Sequence, residues 1–187
     1  TPVISSAASD VYKRQAMAGA VLNTLNTRLD TDTIAYILEH ADTRLLITDA
    51  AFGEAMKTAL AQTKNKKIKI IDIIDQQASE SVSGPRLGEQ DYETFLNGAD
   101  PDYKWQMPAD EWQAMCLNYT SGTSGRPKGV VYHHRGAYLM AMGTIPVWNM
   151  PMHPTYLYVV PLFHCNGWGH AWICLLYTSP SPRDVCS

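Results

Sequence analysis

Long apolar runs are missing from this chain: no window approaches about 18 uninterrupted apolar residues, so no membrane span is expected. Cysteine is scarce. The four present (Cys116, Cys165, Cys174 and Cys186) have no CxxC spacing and form no dense framework, which excludes a disulfide scaffold and makes a reducing cytoplasm the expected compartment. An excess of positive charge is missing too. Fifteen Lys and Arg stand against 18 Asp and Glu, where a nucleic-acid-binding surface would show a basic stripe. The six histidines offer no simple chelate, because His133 and His134 are adjacent and expected on opposite faces of a strand, as are His164 and Cys165. Cys165 has no Asp or His spacing that would make it a hydrolase nucleophile. What is present is a 45% hydrophobic composition over 187 residues, enough to fill a core and suited to one domain or a piece of a larger one.

Both ends read as foreign. "SSAASDVYKRQ" (Ser5 to Gln15) and "CLLYTSPSPRD" (Cys174 to Asp184) back-translate to the two adapters of transposase-based sequencing libraries. The inner strings GATGTGTATAAGAGACA and TGTCTCTTATACACATC are reverse complements, so one inverted repeat accounts for both tails. Residues 1–15 and 174–187 are therefore expected to be adapter-derived, leaving 16–173 as a native window that has lost sequence on both sides. Lys13 and Arg14 before "AMAGAVL" then belong to the tail and do not open a signal peptide.

Within the window, helix and strand alternate. "DTDTIAYILEHA" puts Ile34, Ile37, Leu38 and Ala41 at helical spacing, with N-cap candidates at Asp30 to Asp32. "RLLITD" (44–49) suits a buried strand, "AFGEAMKTALAQTK" returns to helical period, and "KIKIIDII" (67–74) is β-branched and strand-like. The run "KNKKIK" reads as a solvated junction between helix and strand. "QQASESVSGPRLGEQ" reads as a surface loop. A short helix over 92–97, a strand over 115–119 and a strand in "GVVYHH" follow. Next come a helix interrupted by Pro146, a strand over 155–161, and a loop leading to a helix. The alternation predicts an α/β fold with a mostly parallel sheet flanked by helices.

Between two of those strands lies "TSGTSGRPKG". Glycines let backbone N–H groups face a ligand, the hydroxyls of Thr120, Ser121, Thr123 and Ser124 add neutral donors, and Lys128 adds a point charge held after Pro127. The set suits a polyphosphate. A flexible Gly/Ser/Thr turn is the plainer alternative, but it would need neither close strands on both sides nor a lysine there. A Walker A loop does not fit: Arg126-Pro127 separates Gly125 from Lys128, Gly129 stands where a hydroxyl is needed, and a strand follows instead of a helix.

"YTSGTSGRPKG" resembles the signature loop of the adenylate-forming (AMP-binding) superfamily, with Ser124 where the family usually carries Thr. "GAVLNTLNTRLDTDTIAYILEHADTRLLITD" resembles the family's upstream motif and "YVVPLFHCNGW" the next one downstream. The window is most similar to short- and medium-chain acyl-CoA synthetases and 3-methylmercaptopropionyl-CoA ligases, which places it in a partial N-terminal domain. The resemblance implies that a carboxylic acid is activated with ATP and Mg²⁺ to an acyl-adenylate and then passed to CoA. It implies ATP-phosphate contacts from Thr120, Ser121, Gly122, Thr123, Ser124, Gly125 and Lys128, with Lys128 and His164 catalytic. His164, Asn166, Gly167 and Trp168 would border the acyl group, Trp168 as a flat wall. No protein ligand to metal is assigned, and the chain alone is expected to be inactive and marginally stable. Two other readings stay open: a non-catalytic nucleotide-binding module, and an adenylation domain that loads a carrier protein.

Overall fold

The computed structural model describes residues 15–74, 84–120, 125–152, 157, 159–170 and 172–173. These fall into two units, one built on Leu25–Trp105 with Tyr119–Gly129, the other on the segment ending at Thr24, Gln106–Asn118 and Val130 onward.

In the first unit, helix α1 (Thr31–His40) starts where Asp30 accepts a hydrogen bond from the Thr33 backbone N–H at 2.8 Å. That bond, and a second from the Thr33 hydroxyl, hold the Asp30 carboxyl below its ordinary range. Ile34, Ile37 and Leu38 are fully buried, as the helical spacing predicts, whereas Ala41 is the C-cap and not a core residue. Strand β1 (Leu45–Asp49) follows, then a 3₁₀ turn (Ala50–Phe52) and helix α2 (Gly53–Gln62). The Lys66 ammonium donates to the carbonyls of Leu60 and Ala61, so the lysine-rich junction caps the end of α2.

Strand β2 (Lys69–Ile73) pairs parallel with β1, Leu45 opposite Lys69 and Asp49 opposite Ile73, and β3 (Gln90–Asp91) pairs parallel with β2. Side chains alternate across this sheet. Leu46 packs with Ile34, Ala35, Leu38, Met56 and Ala59 of α1 and α2, while Ile47 packs with Ile71 and Tyr92. Tyr92 opens helix α3 (Tyr92–Asn97), so both faces of the parallel sheet carry apolar contacts, as such sheets require. Asp72 is buried at the sheet's centre. Its Oδ2 accepts the backbone N–H groups of Leu87 and Gly88 at 2.9 and 2.8 Å, fixing the chain just before β3. Most of the expected surface loop over 76–90 lies outside the described residues.

Strands β4 (Ala114–Thr120) and β5 (Lys128–His133) form a separate two-stranded sheet. In the second unit, Leu22 bridges to Cys116 in parallel sense, its N–H donating to the Met115 carbonyl at 3.0 Å. Helix α4 (His134–Val147) buries Ala137, Ala141 and Ile145. Here the sequence expectations need three corrections. Pro146 does not interrupt α4: it sits in the last turn, so the one i−4 hydrogen bond its missing N–H forfeits lies at the helix's end, and the helix stops one residue later. His133 and His134 do not share a strand. His133 ends β5 and caps α4, Nδ1 accepting the Gly136 N–H at 2.9 Å, and His134 opens the helix. The strand expected over 155–161 is absent among its described residues. Leu157, Val159, Val160 and Pro161 lie outside any strand, and none of the described strands pairs with them, which an apolar β-prone run needs. A short helix α5 (Cys165–Trp168) follows.

Candidate functional site

The glycine-rich loop is framed by its two strands. Thr120 is the last residue of β4 and Lys128 the first of β5, so strand hydrogen bonding positions both. Gly125 has φ of +148°, and a Cβ there would meet nothing within 4 Å, so the demand for glycine is conformational, not steric. Thr120 and Lys128 are exposed, and among the described residues Lys128 forms no ion pair. An exposed ammonium with no ion pair among the described residues, three positions after a positive-φ glycine, leaves donors for an anion. Ser121, Gly122, Thr123 and Ser124 lie outside the described residues.

Both flanks of this loop meet α1. The Tyr119 hydroxyl lies 2.7 Å from His40 Nδ1, and the Arg126 guanidinium lies 5.2 Å from the centre of the Tyr36 ring. Burial, then the neighbouring Tyr36, pushes Tyr119 ionisation above its ordinary value, so its hydroxyl keeps its proton at neutral pH. Sequence reasoning passed over Tyr36 and His40. Their only local signal was a pair of aromatic rings one helical turn apart on the polar side of α1.

In the second unit, the segment before α5 is tied to β4. The Thr24 hydroxyl lies 3.1 Å from both the Asn118 side-chain oxygen and the Leu162 carbonyl. His164 is exposed, its N–H bonded to the Pro161 carbonyl, and Gly167 is buried, its N–H donating to the His164 carbonyl at 2.9 Å. The side chains of Asn166 and Trp168 lie outside the description. Cys165, Gly167 and Gly169 have φ of +49°, +59° and +71°, so the chain coils tightly here. His170, which sequence reasoning did not single out, is buried. Its Nδ1 donates to the Gly167 carbonyl at 3.1 Å, and its ring lies 4.8 Å from that of Trp148.

Beside α5 lies a cavity of about 430 Å³, lined by residues of β5 and α4 with Cys165 and Trp172. Its wall is mostly apolar, from Val131, Ala137 and Met140, with the Tyr132 hydroxyl and the His133 ring as polar points. Burial, and then a hydrogen bond with Cys165, pushes Tyr132 ionisation up, so it stays a neutral donor. Among the described side chains of the predicted acyl-side stretch, only that of Cys165, which was not assigned to the acyl group, reaches this cavity; His164 and Gly167 are not among its lining residues. Among the described residues no group of three or more His, Cys, Asp or Glu is placed to hold a metal ion, and no helix is long and apolar enough to cross a membrane.

An α/β domain with a parallel sheet and a glycine-, serine- and threonine-rich loop strung between strands is the class defined so far. The family profile described as AMP-binding enzyme matches residues 15–179, and the chain belongs to that family. It is 42% identical over 164 residues to a peroxisomal acetate/butyrate–CoA ligase of Arabidopsis thaliana, with 83% of this chain and 29% of the relative covered. It is 42% identical over 169 residues to a peroxisomal trans-cinnamate:CoA ligase of Petunia hybrida, at the same coverage. The chain thus spans about 29% of the length of these curated relatives. Among solved structures it is similar in fold to ATP-bound MatB from Rhodopseudomonas palustris, with a TM-score of 0.70, 18% identity, and 92% of this chain and 32% of that one covered. A second is the O-succinylbenzoate coenzyme A synthetase of Bacillus subtilis in complex with ATP and magnesium, with a TM-score of 0.69, 21% identity, and 92% and 31% covered.

Proposed function

We propose that this chain is the part of an ATP-dependent, AMP-forming acid–CoA ligase that holds the nucleotide phosphates and borders the acyl group. The observation that carries this reading is the framing of the loop: Thr120 closes one strand, Lys128 opens the next, and Gly125 is left-handed between them. In the reaction a substrate carboxylate oxygen attacks the α-phosphorus of ATP, and the bond to the β-phosphate oxygen breaks. Negative charge then builds on the departing pyrophosphate. Loop N–H groups, the hydroxyls of Thr120, Ser121, Thr123 and Ser124, and Lys128 stabilise that charge. Mg²⁺ would come with the nucleotide and offset its phosphate charge, and no residue here is assigned to it. The acyl-adenylate then loses AMP as the CoA sulfur attacks its carbonyl carbon.

The acid lies on the side of His164, Asn166, Gly167 and Trp168, with its chain directed into the cavity beside Cys165. Support for a small acid comes from the relatives' names, which include acetate/butyrate–CoA and 2-methylpropanoate–CoA ligases. Three of the relatives are named peroxisomal, so that organelle stands beside the cytoplasm expected from cysteine usage as the compartment to test. Imaging of the tagged complete protein separates the two.

The test is single-turnover kinetics of the complete ligase. Lys128→Ala slows acyl-adenylate formation by about 2–4 kcal/mol in the barrier, and slows thioester formation from preformed adenylate much less. An unchanged adenylation rate removes Lys128 from the phosphate site. Adenylate that transfers to a carrier-protein thiol but not to CoA makes the enzyme a carrier-loading one.

A further inference from the structure

Tyr36 and His40 lie one turn apart on α1, and each meets a different flank of the glycine-rich loop. His40 is 2.7 Å from the Tyr119 hydroxyl through Nδ1, and the two rings meet edge to face with centres 5.8 Å apart. Tyr119 immediately precedes Thr120. On the other flank the Arg126 guanidinium lies over the Tyr36 ring at 5.2 Å, and only Pro127 separates Arg126 from Lys128. The rings of Tyr36 and His40 also touch each other, with centres 5.3 Å apart. On its other side α1 buries Ile34, Ile37 and Leu38, each no more than 1% exposed, so the pair stands on a helix anchored in the core.

We propose that Tyr36 and His40 are positioning residues that clamp the two flanks of the loop to α1 and so set where Thr120 and Lys128 stand. This rests on the reading that the loop holds ATP phosphates. The physical case has two parts. A stabilising contact to a transferring phosphoryl group acts only if its donors are already in place, because donors that must be reoriented at the moment of reaction lose their advantage. Lys128 and Thr120 are exposed strand ends: the β4–β5 ladder holds their backbone, and where their side chains stand over the loop depends also on what holds the neighbouring Tyr119 and Arg126. Arg126 is exposed as well. Without a ring to rest on, its long cationic side chain is free to compete with Lys128 for the same anion, and the face of Tyr36 gives it a resting place.

The test measures ATP affinity by calorimetry, and KM for ATP and for the acid by pyrophosphate exchange, on the complete ligase. Tyr36→Leu and His40→Ala each raise the ATP Kd and KM by about fivefold, and the pair by roughly twentyfold, while KM for the acid stays put. Tyr36→Phe keeps the aromatic face and His40→Gln keeps a hydrogen-bonding side chain toward Tyr119, so both restore most of the ATP affinity. Tyr119→Phe removes the His40 contact from the loop side without altering α1. It reproduces the His40→Ala effect even if the α1 variants fold poorly. Lys128→Ala serves as the reference for the phosphate reading. A loss of ATP affinity in Lys128→Ala with none in Tyr36→Leu, His40→Ala or Tyr119→Phe overturns the clamp alone. No loss in any of the four overturns the phosphate reading and the clamp with it. Equal losses in ATP and acid KM, with no rescue by Phe or Gln, reduce the pair to ordinary structural residues and overturn the proposal as well.

Discussion

Asp42 ends α1 in a conformation that suits glycine better. Its φ is +46°, its N–H donates to the Glu39 carbonyl, and the Thr43 N–H reaches back to the Leu38 carbonyl at 3.2 Å, the two bonds of a Schellman motif. A left-handed residue with a Cβ costs about 1–2 kcal/mol, less for aspartate than for most. Its ion pair with Arg44 returns little, since both side chains are largely exposed. Asp42→Gly is therefore expected to stabilise the first unit by about 0.5–1 kcal/mol, glycine's larger unfolded-state entropy taking back part of the gain. Urea unfolding checks it: a higher midpoint at unchanged slope is the expected result, and a lower one shows that the Arg44 pair outweighs the strain. The same motif closes α4 with Asn149 at φ +47°, and there Met150 packs on the Ala141–Ile145 cluster. Local chemistry of this kind was partly legible in the sequence. Asp30 was readable as a cap because its partner Thr33 is three residues away. The Tyr119–His40 contact was not, because 79 residues separate its partners and no periodicity links them.

At the scale of elements, the helices and strands with a full apolar period were legible. The predicted spans 92–97 for α3 and 44–49 for β1 differ from the observed ones by at most one residue. What failed was whatever depends on a distant partner. β3 is two residues of ordinary composition that pair because Asp72 draws the chain at Leu87 and Gly88 toward β2. The run over 155–161 has strand composition but no pairing strand among the described residues. Asp72 makes the first case testable. It is 1% exposed, and one carboxylate oxygen accepts two backbone N–H groups. Asp72→Ala strands both donors in a buried site and is expected to cost about 2–4 kcal/mol, whereas Asp72→Asn keeps an oxygen that can accept and loses less than half as much. Thermal unfolding of the two variants is the measurement. Equal losses would mean that the charge, not the two bonds, holds the β3 segment.

For the molecule as a whole, the parallel α/β architecture followed from the helix–strand alternation, whereas the phosphate role of the loop over 120–128 is proposed from its residue types. The cavity did not, since its lining joins residues from 131 to 172 that no spacing rule connects. The assignment of residues 1–15 and 174–187 to adapter DNA remains a proposal, and the family match ends at 179, six residues past the proposed boundary. A long read of the source genome decides it: codons other than the adapter's are expected beyond 173. The cavity carries the last prediction. If the acid's chain enters it, the wall decides which acids are used. Ala137 is buried and lines it, so Ala137→Leu fills space and is expected to reject longer acids. Met140→Ala empties space on the same helix and is expected to admit them. Each methylene policed in this way shifts kcat/KM by roughly 1–3 kcal/mol, and the two variants shift the profile in opposite directions while KM for ATP stays fixed. Trp168→Ala is the companion variant, because Trp168 is the wall expected from the sequence. A profile that moves with Trp168→Ala but ignores Ala137→Leu and Met140→Ala places the acid against the tryptophan and leaves the cavity without a role in selection.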